Sequence, residues 1–117
     1  MIAREHLELA ALAAGYAEAR YEDWPGMEMR HGYACAIWTG ERYINPAEDD
    51  GDAARPAAAV GMKITAPNHC GDGASAEPLD GNSRSVTVYR KDKAEQMRVA
   101  IVLCAAAVGE RMRKGGA

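Results

Sequence analysis

Apolar positions recur at helical spacing near both ends of the chain and alternate at strand spacing between them. Over residues 2–14, Ile2, Leu9, Leu12 or Ala13, and Tyr16 fall on one stripe, while Arg4, Glu5 and Glu8 lie elsewhere. This pattern predicts an amphipathic helix stopped by Gly15. Residues 17–24 read as a first strand, closed by a Pro25-Gly26 turn in which proline sets φ and glycine accepts a positive one. From Met27 the pattern is extended. The runs 33–38 and 42–44, separated by Thr39-Gly40-Glu41, predict a hairpin in which Trp38 and Tyr43 pair across the strands.

The stretch YINPAEDDGDAARPAAAVGMKI, beginning at Tyr43 and ending at Ile64, is the densest set of local instructions. Asn45-Pro46 ends the hairpin, because the residue before proline is pushed out of the helical region. A short alanine-rich helix follows, capped by one of Asp49, Asp50 or Asp52 and ending near Val60-Gly61. Pro56 is awkward in its interior and favours a start at Asp52 or later. Residues 62–66 alternate as a strand closed by Pro67. Residues 68–83, rich in Gly, Asp, Asn and Ser, read as a long flexible loop. Residues 85–90 form the last strand and residues 92–113 the last helix, with Asp92 as cap and Glu95 in capping-box position. On that helix Ala94, Met97, Ile101, Cys104, Val108 and Met112 make one stripe. Val99, Val102, Leu103 and Ala106 extend it almost all round, so the helix lies either at the centre of the fold or in a dimer.

The expected architecture is α+β, a single domain over residues 1–117 in the order α-β-ββ-α-β-β-α. A small antiparallel or mixed sheet of about four to five strands is covered by two to three helices. The 117 residues are too few for two independent cores. Without Phe, and with alanine supplying much of the apolar content, the core must be close-packed and built from small side chains. A net charge of −3 and dispersed basic residues argue against nucleic acid as a partner. Arg111, Arg113 and Lys114 suit the negative end of the last helix. Three cysteines without a C-x-x-C pair predict a reducing compartment. The longest apolar run, 99–108, is too short to span a bilayer, so no membrane partner is expected.

The Tyr43 to Ile64 segment, the strand SVTVYR and the helix KAEQMRVAIVLCAAAVGERM together resemble small phage and prophage proteins of unassigned role. That group includes the NinX-like proteins and the phage ABA-sandwich-domain proteins. The resemblance covers residues 33–113 and rests on an Asn-Pro…Asp-Ala helix start and on Arg98 to Ala100 in the late helix. This chain departs from the pattern at Arg55-Pro56 and in its glycine-rich loop. The resemblance implies an α/β sandwich of phage origin in the cytoplasm of a bacterial host, and it carries over no catalytic residue.

Read for chemistry, the chain offers little. Glu48, Asp49, Asp50 and Asp52 lack the spacing of an EF-hand loop and suit a helix start. His31, Cys35, His69 and Cys70 are zinc-ligand types at poor spacing, since strand residues four apart are separated by about 13 Å. Cys70 with His69 and Asp72 lacks the pre-organised base and oxyanion donors of a thiol nucleophile. Gly71 to Ser75 lacks the lysine of a phosphate loop. No catalytic residue, metal ligand or cofactor site is therefore assigned. The expectation is a binding protein whose partner is a host or phage protein. Its interaction surface would comprise Trp24, Met27, Trp38 and Tyr43, with Trp24 to Met27 as an exposed apolar tip, and the acids Glu48, Asp49 and Asp50. Two alternatives are a small-molecule or nucleotide site with residues 68–83 as lid and Arg84 or Lys63 facing an anion, and a homodimer through the C-terminal helix.

Overall fold

A computed structural model describes residues 3–16, 18–66, 73–79, 85–90 and 92–115. Along these the chain runs α1 (Arg4–Ala13), β1 (Arg20–Glu22), α2 (Met27–His31), β2 (Ala36–Trp38), β3 (Tyr43–Ile44), α3 (Asp50–Val60), β4 (Met62–Thr65), β5 (Ala74–Pro78), β6 (Val86–Val88) and α4 (Lys93–Arg113). The fold is α+β, as expected. Its strands, however, form two three-stranded antiparallel sheets, β1-β2-β3 and β4-β5-β6, rather than one. Helix α3 separates the two hairpin systems, and each sheet packs its own apolar face toward α4.

That arrangement explains the apolar character of α4. One side, with Val102 and Ala105, joins Leu7, Ala10 and Ala11 of α1 and Ile37 and Ile44 of the first sheet. Another side, with Val99, Ala100 and Cys104, joins Ala74, Ala76 and Val88 of the second sheet. The helix is central because two separate apolar surfaces close on it. Its N-cap is Asp92, whose carboxylate accepts from the Ala94 amide at 3.0 Å. Glu95 pairs with Arg90 at 3.6 Å.

Three local expectations need correction. Residues 27–31 are not extended but form α2, bracketed by Gly26 and Gly32 with φ of 87° and 83°. Five residues are too few to display a helical period, although Met, Glu and Arg favour it. Residues 74–78 are not loop but the central strand of the second sheet, with Ala74, Ala76 and Pro78 buried and Glu77 exposed. Small inward side chains of low strand propensity conceal that alternation. Helix α3 starts at Asp50, not at Asp52 or later, so Pro56 sits in its interior. The Asp49 carboxylate caps it by accepting from the Asp52 amide at 2.9 Å. Burial of the Pro56 ring, among the largest side chains shielded completely, offsets the missing hydrogen bond. Ile2, His69, Cys70, Asp72 and Arg84, and with them most of the expected lid, lie outside the described residues. Among the described residues no helix is long and apolar enough to cross a membrane.

Candidate functional site

The first sheet has two unlike faces. Side chains alternate along a strand, so Tyr21, Ile37 and Ile44 share the inner face by register, and Arg20, Glu22, Ala36, Trp38 and Tyr43 share the outer one. The end of α2 reaches the outer face. Met27, which opens α2, is completely buried, as is Ala36, while His31 at the end of α2 lies against Tyr43 with ring centroids 4.6 Å apart. The expected apolar tip at Met27 is therefore corrected. Met27 anchors the short helix, and it is Met29, on the other side of α2, that is 93% exposed.

Trp24, which precedes α2, meets His31 edge-on at 5.7 Å, and Trp38 meets Tyr43 at 4.9 Å. Four rings thus form a continuous ridge in the order Trp24, His31, Tyr43, Trp38, with His31 exposed and the other three half-buried. The Trp38–Tyr43 pair follows from the hairpin register, as the sequence indicated. The sequence presents His31 only as a metal-ligand type; its ring contacts depend on a helix too short to leave a sequence signal.

Glu22 supports the ridge. Its carboxylate accepts from the Tyr43 hydroxyl at 2.6 Å and from Arg20 Nε at 2.8 Å. These bonds, Tyr43's first, hold the Glu22 carboxyl below the ordinary range for glutamate, with a lesser contribution from Trp24. Conversely, the bond to Glu22 raises the Tyr43 hydroxyl. With the Tyr43 hydroxyl spent internally, the ridge offers a partner mainly ring faces and edges.

The acids Glu48, Asp49 and Asp50 do not join the ridge. Glu48 accepts from the Asn45 amide group at 3.0 Å, Asp49 caps α3, and Asp50 pairs with Arg98 of α4 at 2.8 Å. Asp52 is buried and accepts from the Tyr33 hydroxyl at 2.9 Å and the Asn45 backbone amide at 2.8 Å. Burial, then the bond to Asp52, pushes the Tyr33 hydroxyl well above the ordinary tyrosine range. The acidic stretch is thus the junction that locks the hairpin to α3 and α4. Comparison with protein-family models, curated proteins and solved structures finds no match to this chain.

Proposed function

We propose that the chain is a small accessory protein, phage- or prophage-derived and cytoplasmic, that acts by binding a host or phage protein and performs no catalysis of its own. The aromatic ridge carries the binding part of this reading. Three of the four rings are residues singled out from the sequence, and the fold gathers them on one side of a sheet. Aromatic side chains supply large, stiff contact area, and interfaces use Trp and Tyr as anchors for that reason. The phage origin rests on the sequence resemblance alone.

Homodimerisation through α4 draws less support, because α1, α3 and the second sheet already pack against that helix. Residues 73–79, the described centre of the expected lid, are strand and turn and line neither the cleft at Tyr21 and Arg98 nor that at Ala53 and Ile101.

The test is capture from a lysate of the natural host with the wild type and a Trp24→Ala, Trp38→Ala double variant, both checked by circular dichroism. A partner retained by the wild type and lost from the folded variant is the expected result. A partner held equally by both would sink the reading. Met27 is unsuitable as a probe because its replacement would open a cavity under α2.

A further inference from the structure

On the side of the first sheet away from the ridge lies a half-open cleft of about 510 Å³. It is bounded by α1, the middle of β1, the residue before β2, the turn after β3, Arg90 and the start of α4. Its size falls in the range of small-molecule sites, roughly 300–1,000 Å³. Leu7, Ala47, Val99 and the Tyr21 ring give it apolar wall. Both Tyr21 and Cys35 line the cleft, and the neighbouring Cys35 thiol, followed by burial, keeps the Tyr21 hydroxyl well above the ordinary tyrosine range.

Two arginines and two glutamates line the cleft, but they are not equally partnered. Arg98 is fixed by donating to the Ala47 carbonyl at 3.1 Å and to Asp50 at 2.8 Å, and Arg90 is paired with Glu95. Both guanidinium groups therefore already have carboxylate partners, as does Arg4, which lies 5.0 Å from the Tyr21 ring centroid and pairs with Glu8 at 3.2 Å. Glu48, exposed at the mouth, accepts only from the neutral Asn45 amide and has no cationic partner among the described residues. A second carboxylate, Asp50, lies just beyond Arg98, and the whole chain carries −3. An anion entering here would compete with Asp50 and Glu95 for the arginines and would meet Glu48 unscreened. A cation held at Glu48 displaces no existing ion pair.

The geometry points to a binding site for an alkylammonium group: a positively charged amine at Glu48, with its aliphatic body along Leu7, Ala47 and Val99. Either a free small amine or a lysine side chain presents this chemistry. The site is independent of the aromatic ridge, so failure of one reading leaves the other standing.

The test is a ¹H–¹⁵N NMR titration of the full chain with pentylammonium, using pentanoate and pentanol as controls and Nα-acetyl-lysine methylamide as a separate arm. Saturable shifts at Tyr21, Cys35, Glu48 and Val99 with pentylammonium, and none with pentanoate, are expected. Glu48→Gln keeps an oxygen for the Asn45 amide and should weaken binding about five-fold, as expected for a partly screened ion pair. Ala47→Leu, which fills the cleft without altering charge, should also weaken it. Pentanoate binding as well as the amine, an unchanged affinity in folded Glu48→Gln, or shifts confined to Trp24 and Trp38 would each overturn the proposal. Tighter binding of the lysine derivative than of pentylammonium would identify a protein side chain as the source, and the reverse a free amine.

Discussion

At the scale of single residues, the most consequential position is Asp52. Its carboxylate gathers the Tyr33 hydroxyl and the Asn45 amide and lies 3.7 Å from Arg42, all at a site only 5% exposed. Asp52→Ala would leave a buried backbone amide and a half-buried hydroxyl without their acceptor. The expected loss is about 3 kcal/mol, read as a lowered urea midpoint. Asp52→Asn, which keeps one acceptor oxygen, should lose distinctly less. Equal losses in the two variants would mean that side-chain volume, not hydrogen bonding, is what the site requires. From sequence, Asp52 was one of three interchangeable caps. Nothing local distinguishes the aspartate that caps, Asp49, from the one that faces inward, because only the direction of α3 relative to the hairpin separates them.

At the scale of elements, the contact of α1 with α4 turns on one glycine. A Cβ at Gly109 would lie 2.1 Å from the Leu9 carbonyl oxygen, so the helices cross backbone to backbone there. In an isolated helix Gly→Ala is favourable by about 1 kcal/mol. Here the overlap is with backbone, which no rotamer change relieves. Gly109→Ala should therefore destabilise by about 2 kcal/mol or more as α1 is pushed away. A stabilised variant in urea denaturation would refute the close crossing. A glycine inside an otherwise apolar helical run is a legible signal of close approach, though it does not say which element approaches. Gly73 works similarly: a Cβ there would sit 2.7 Å from the Val88 carbonyl oxygen, which ties the start of β5 to glycine.

For the whole molecule, α4 is shared by two cores, each too small to stand alone. The first is built around Val102 and Ala105 and the second around Ala100 and Cys104, on the same few helical turns. Damage to one should therefore loosen the other. Val102→Ala, at a fully buried site, should cost about 2 kcal/mol and lower both parts together. Tryptophan fluorescence reports the first sheet through Trp24 and Trp38, and thiol accessibility of the buried Cys104 reports the second core. Coincident midpoints are expected; separated midpoints would show that the two halves fold independently.

What the residues determined by themselves is local and chemical. Helix starts at aspartates, stops at glycines, the hairpin register of Trp38 with Tyr43 and the unusually apolar last helix all follow from side-chain capping, backbone freedom and periodicity. Each of these acts over a few positions. The split into two sheets, the burial of Met27 and the gathering of Trp24 and His31 onto the hairpin were decided only by tertiary structure. So were the hidden strand of small residues at 74–78 and the cleft between Tyr21 and Arg98. Each joins segments distant in sequence, or depends on what covers a short element whose own propensity is weak.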